Sequence, residues 1–390
     1  MTRIDLTGLD VRPAQVWGGV RLVPLVRAEP VEGLRLHPEV YGAGGTVELG
    51  DRTTYTSYIP HGFVADWSGD ERESAAYGTR LGDDTAAGGP GPDVVPVRRH
   101  HRLAKRRHTH GRAEKRLRFL PLHLALEGYL ALHFGGPSVV WDEWSQQAVR
   151  QGLSPRAEAA YAGWDVPGLA EALRVFEIHP GQCGLMLYVA DSLAAAFVVP
   201  HPEDFSVLHP TLIEDLYGEL IHQYAYYGAP VPEFTARIRN EAGSVRTFAD
   251  LRAAARAQER SWAEAHDGLM ARDLLEPPYT FERVHRMDSY DLYRFLPPFR
   301  RAGEEQHIGE LIADRKGRTL YLKTFRLSES RIRRGHLLRC LADADWHLGR
   351  TAEALGATYA ELVRRVRAAG LGSLLDAHVV AQRIREDRER

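Results

Sequence analysis

The sequence predicts an α+β protein: an N-terminal sheet-and-helix domain followed by an all-helical, helix-turn-helix-like C-terminus. Three observations carry this reading. Short alternating apolar stretches at residues 19–25, 55–59 and 75–79 are separated by turn residues, as strands of a sheet are. Two continuous apolar runs flank Asp191-Ser192 and read as strand, tight turn, strand. The last sixty residues carry apolar positions at helical spacing, interrupted at Gly356 and Gly370.

Taken in order, the early strands lead to a Gly, Pro and Asp-rich loop over residues 82–91 and then to a basic tract, residues 98–118. Leu120, Leu124, Leu126, Leu130 and Leu132 predict a buried helix over residues 117–134, stopped by Gly135-Gly136-Pro137. A hairpin turn centred on Ser192 pairs Ala190 with Ala194 and, further out, Cys183 with His201. Pro210 suits the first position of a following helix, with Leu212, Ile213, Leu216, Leu220, Ile221 and Tyr224 on its apolar face and Gly228 as its stop. Thr247 and Asp250 form a capping-box pattern ahead of a helix that runs to about Leu275, and Pro277-Pro278 ends it. Residues 307–325 predict a hairpin turning at Asp314-Arg315-Lys316-Gly317. The expected units are residues 1–230, a connecting region 231–327, a three-helix unit 328–375 and a charged tail 376–390. Within the first, residues 82–116 are expected to be a mobile basic loop.

Composition narrows the function classes. Hydrophobic residues make up 44% of the 390, charged residues 26%, and the net charge is -2, so any nucleic-acid contact has to come from a local patch. The start lacks the apolar core of a signal peptide, and the longest apolar stretch is cut by Asp191. A cytoplasmic protein without membrane contact is expected. With Cys183 and Cys340 as the two cysteines, a disulfide framework and a four-cysteine zinc module are excluded. Lysine supplies four of the fifty basic residues, a codon effect of a GC-rich genome.

Several runs together resemble one bacterial family: VWGGVRLVPLVR from Val16, RLRFLPLHLALEGYLALHFGGP from Arg116, GLSPRAEAAY from Gly152, and FEIHPGQCGLMLYVADSLAAAFVVPHPEDF from Phe176 with its sequel LHPTLIEDLYGELIHQYA. That family is the ADP-ribosylglycohydrolase and rhodanese-phosphatase associated protein domain, over about residues 10–230. The resemblance implies a setting in ADP-ribose or nucleotide signalling and brings no catalytic residues with it.

His179, Cys183, His201, Asp204 and His209 gather at the outer ends of the hairpin and form a candidate polar pocket. A thiol facing an imidazole is the arrangement of a Cys-His pair, and zinc uses the same residue types. The spacings match no zinc signature, however, and each of these histidines precedes a proline, as loop residues do. An inert buried cysteine with satisfied histidines is the preferred reading, with no metal and no catalytic residue assigned. Glu127, Arg156 and Glu158 fit capping or ion-pair roles, and Glu214-Asp215 fit a helix start. No cofactor is indicated.

The C-terminus carries the sharper signal. The stretch TAEALGATYAELVRRVRAAGL, from Thr351, resembles the helix-turn-helix of Fis-type regulators, with Gly356 at the turn and Thr358 to Glu361 as a capping box. Thr358 and Tyr359 are then placed at the end that meets base edges, and Arg364, Arg365 and Arg367 against phosphates. The expected function is a DNA-binding regulator with a ligand-sensing N-terminal domain and duplex DNA as partner. The alternative is an enzyme or accessory factor for a nucleotide-like or ADP-ribose ligand, in which the terminal helices are structural.

Overall fold

The computed structural model describes residues 2–31, 168–238, 243, 245–287, 289–300 and 305–375, together with Leu130 and seven short strands between residues 34 and 96. The expected loop beyond Gly82, the basic tract, most of the helix at 117–134, Glu127, Arg156, Glu158 and the tail at 376–390 lie outside the described residues. So do the side chains of Glu214 and Asp215.

The chain builds a mixed α/β structure around one large antiparallel sheet. Its strands are β1 (Leu9–Val11), β2 (Gln15–Trp17), β3 (Val20–Arg27), β11 (Gln182–Val189), β12 (Ser192–Val198), β13 (Thr280–Met287), β14 (Tyr290–Leu296), β15 (His307–Asp314) and β16 (Thr319–Arg326). They are ordered β1-β3-β11-β12-β16-β15-β14-β13, with β2 also on β3. The short strands β4 (Leu34–Leu36), β5 (Thr46–Leu49), β6 (Thr53–Thr56), β7 (Val64–Trp67), β8 (Ser74–Ala75), β9 (Leu81–Gly82) and β10 (Val95–Pro96) pair among themselves. Because β12 pairs with β16, residues on both sides of position 230 share one sheet.

The two apolar runs do form an antiparallel hairpin, but its register differs from the expected one. Gly184 faces Val198, Val189 faces Ser192, and a bulge lies between Leu187 and Tyr188. Ala190 and Asp191 make the turn, both with positive φ (50° and 58°). Two such residues form the turn whose twist matches the strands, and aspartate tolerates that conformation. Arg21, on the neighbouring β3, holds the turn by donating from Nε at 3.0 Å and Nη2 at 2.9 Å to Asp191 Oδ1. Cys183 therefore lies beside Val199, whose N–H donates to its carbonyl at 2.8 Å, and not beside His201.

The helices are α1 (Leu169–Val175), α2 (Pro202–Leu216), a π-helix (Tyr217–Ile221), α3 (His222–Tyr227), α4 (Phe248–Ala265), a second π-helix (His266–Met270), α5 (Arg272–Leu275), α6 (Glu329–Asp343), α7 (Leu348–Ala354) and α8 (Tyr359–Ala368). The helix expected to open at Pro210 opens instead at Pro202, and Pro210 sits inside it. Interior proline costs about 3 kcal/mol. Phe205, Leu208, Leu212, Ile213 and Leu216 are buried along one continuous face, and each contributes roughly 1.5 to 3 kcal/mol, so burial outweighs the lost bond. The Thr247–Asp250 capping box at the start of α4 is present with both of its hydrogen bonds.

Two apolar layers lie on the two faces of the sheet. Leu185, Leu187, Phe197, Ile308, Ile312 and Phe325 face α2 and α6, whereas Met186, Tyr188, Val198, Phe295, Leu311 and Leu322 face the segment around α5. One row interrupts the first layer. Glu282, Arg294, Glu310 and Lys323 are successive cross-strand neighbours on β13, β14, β15 and β16, with alternating sign. Lys323 Nζ lies 3.9 Å from Glu310 Oε2, and Arg294 Nη1 3.9 Å from Glu282 Oε2. Burial pushes the Lys323 ammonium down to about 8, and Glu310 opposes that shift.

Candidate functional site

The three C-terminal helices owe their geometry to their ends. After α7, Gly356 takes φ +57°, its N–H donates to Glu353 O, and the Ala357 N–H donates to Ala352 O, both at 3.0 Å. That pair of bonds is the glycine-terminated helix stop, and it turns the chain sharply. Two residues after Gly356, Thr358 caps α8, its Oγ1 accepting from the Glu361 N–H at 3.2 Å while Glu361 Oε2 accepts from the Thr358 N–H at 3.1 Å. Gly370 and Leu371 close α8 with the same bonding pattern as Gly356 and Ala357.

Ala352, Leu362, Val366 and Leu371 enter the same core as Leu337, Leu338 and Leu341 of α6 and the sheet residues beneath. The inner face of α8 is thereby fixed. Its outer face carries Arg364, Arg365 and Arg367, all exposed, with Arg364 Nη2 4.0 Å from Glu361 Oε1. Thr358 is exposed at the amino end. Tyr359 is not: it is 9% exposed and packs with Val363 against Leu348 and Leu375. The expected base-edge role of Tyr359 is corrected for that reason, since a ring used as packing cannot also reach a groove.

The five residues of the expected polar pocket are spread over separate environments. Burial pushes the Cys183 thiol up to about 11, although Arg27 draws it back, so the sulfur is protonated and packs as an apolar group. His179 belongs to the turn before β11, where its N–H donates to Gln182 Oε1 at 2.7 Å. His201 Nδ1 accepts from the Glu203 N–H at 3.3 Å in the first turn of α2. Asp204 is buried one residue further on. His209 is buried against the Phe205 ring, centroids 5.6 Å apart, and desolvation pushes it down to about 4. Among the described residues, no three His, Cys, Asp or Glu side chains come together in a way that would hold a metal ion.

One constellation escaped the sequence reading. Asp267 Oδ1 lies 2.8 Å from His266 Nδ1, and His266 Nε2 lies 2.7 Å from Tyr188 Oη. A carboxylate only accepts, so Nδ1 carries the proton, Nε2 accepts, and Tyr188 donates. Carboxylate, imidazole and hydroxyl in line activate a nucleophile when the hydroxyl can meet a substrate. Here Tyr188 is fully buried, so the chain of bonds ties β11 to the π-helix at His266. Trp262 stacks on His266 with centroids 5.4 Å apart, and it also lines an open groove of about 560 Å³ together with Phe234, Arg237 and Gln258. Tyr188 and His266 are 78 residues apart, and no spacing rule connects them.

A family model described as ARPP-2 matches residues 4–288. No curated protein and no solved structure matches the chain. The match corrects the resemblance to the ADP-ribosylglycohydrolase and rhodanese-phosphatase associated family, and no helix-turn-helix family matches the C-terminal segment, which corrects the likeness to Fis-type regulators. The quoted runs that fall on described residues, 16–27 and 176–225, are mostly buried strand and helix faces, whose apolar patterns many folds share.

Proposed function

This chain belongs to the ARPP-2 family, and we propose that the helices following the matched residues bind duplex DNA through the outer face of α8. The observation that carries the reading is the exposure of Arg364, Arg365 and Arg367 on a helix whose opposite face is locked into the core. Between residues 328 and 375 eight arginines stand against five carboxylates, although the whole chain carries a net charge of -2. The Gly356 turn and the Thr358 cap set the direction of α8, so its three arginines stand on one exposed face where phosphates can reach them. With Tyr359 packed inward, the exposed chemistry at that face is cationic, so phosphate contacts dominate and base readout contributes little.

The experiment is a titration of fluorescent duplex DNA with the full chain and with the Arg364→Ala/Arg365→Ala/Arg367→Ala variant at several salt concentrations. Binding that weakens with salt for the parent, and is lost in the variant, supports the reading. Equal affinity for both proteins assigns the three helices to a structural cap.

A further inference from the structure

A second line of hydrogen bonds runs along the surface of the ARPP-2 region, and it joins three elements. Tyr226 Oη, on α3, donates to Glu171 Oε2 of α1 at 2.6 Å. Tyr217 and Tyr226 share a hydrogen bond between their phenols, and Tyr217 Oη lies 2.8 Å from His222 Nδ1. Each phenol has one proton. Since Tyr226 spends its proton on the carboxylate, Tyr217 donates to Tyr226 and His222 Nδ1–H donates to Tyr217. Every donor therefore points toward Glu171.

The local backbone is shaped for this arrangement. The π-helix Tyr217–Ile221 brings Tyr217 and His222, five residues apart, side by side. π-bulges of this kind occur frequently at functional sites. Gly168, at φ +83°, closes over the two phenols, and a Cβ there would overlap both oxygens. Around this line stand aromatic faces. Trp17 meets Tyr226 edge-on at 5.0 Å, and Tyr227 lies 6.3 Å from His222 and 6.5 Å from Tyr226 at steep angles. Tyr227 is 83% exposed and Tyr226 44%, a large aromatic area to leave in water.

We propose that Trp17, Tyr226, Tyr227 and His222 around Glu171 form a binding site for an organic ammonium cation. Aromatic faces carry negative electrostatic potential and attract cations within about 6 Å of the ring centroid. The Glu171 carboxylate accepts at the end of this chain and supplies the counter-ion. Arg174, one turn along α1, forms no ion pair with Glu171 among the described residues, so the charge of the carboxylate is not consumed within its helix. Tyr217, fully buried, positions Tyr226 and His222 and is a positioning residue here.

The test is ligand-observed NMR titration of the full chain with choline and with its neutral isostere, 3,3-dimethylbutan-1-ol. Choline should bind saturably in the millimolar range and the isostere should not. Glu171→Gln keeps an acceptor for Tyr226 and removes the charge, while Tyr227→Ala removes an exposed ring without touching the core. Each should weaken choline about tenfold, and Tyr227→Phe should restore it. Equal binding of the isostere, no saturable binding by the parent, or unchanged affinity in both variants with native circular dichroism would overturn the proposal. None of these outcomes depends on DNA binding.

Discussion

Tyr188 on β11 and His266 at the end of α4 are joined by a 2.7 Å hydrogen bond inside the protein, with Asp267 holding the far side of the imidazole at 2.8 Å. The bond fixes the end of α4 to the sheet, beside Trp262, which is partly buried against the same core. Tyr188→Phe keeps the ring and removes the donor, leaving a buried acceptor without its partner. We expect a loss of about 1 to 3 kcal/mol in urea unfolding. An unchanged midpoint would show that the bond adds nothing.

Stability should fall with acid in a window set by His209 and His307. Burial pushes both down to about 4, and His307 Nε2 donates to Leu193 O at 3.1 Å as a neutral ring. The unfolded chain takes up these protons near pH 6.5, whereas the folded protein resists until about pH 4. The contribution is therefore full above pH 6.5 and is lost progressively as pH falls toward 4. For enclosed groups it is on the order of 3 kcal/mol each. In denaturant titrations from pH 7.5 to 4.5, His209→Phe should show a shallower acid slope than the parent.

The pair formed by Lys323 and Glu310 should behave asymmetrically. Both are buried, with Nζ 3.9 Å from Oε2. Glu310→Leu alone leaves an ammonium enclosed by the apolar layer, and should cost about 3 to 5 kcal/mol. The double change Glu310→Leu/Lys323→Met removes both charges and should recover most of that loss. A double variant as unstable as the single one would mean that the pair works through contacts other than each other.

Each arginine of the α8 face should contribute separately to the salt dependence of DNA binding. Removing one phosphate contact lowers the slope of log affinity against log salt by about 1, so Arg364→Ala and Arg367→Ala should each show that change. Tyr359→Phe, which preserves the inward packing, should leave affinity within error of the parent. A strong effect of that substitution would return Tyr359 to the DNA surface.

The sequence by itself determined a mixed α/β protein, the hairpin around Asp191, the hairpin ending at Asp314, the capping boxes at Thr247 and Thr358, and the glycine stop at Gly356. These are local: each depends on residues a few positions apart, whose backbone chemistry is the same in any fold. The arginines of α8 were legible for the same reason, since a run of charge marks one face of a helix. Tertiary structure decided the rest. A one-residue difference in turn position moved Cys183 from His201 to Val199, because strand register is set by the twist of the turn and by the neighbours on both edges. It turned Tyr359 inward, where Val363 and Leu348 offered an apolar contact. It also assembled Tyr188 with His266, Glu171 with Tyr226, and the alternating row from Glu282 to Lys323. Those partners lie on different elements, and only strand pairing and the packing of helices on one another and on the sheet bring such distant side chains together.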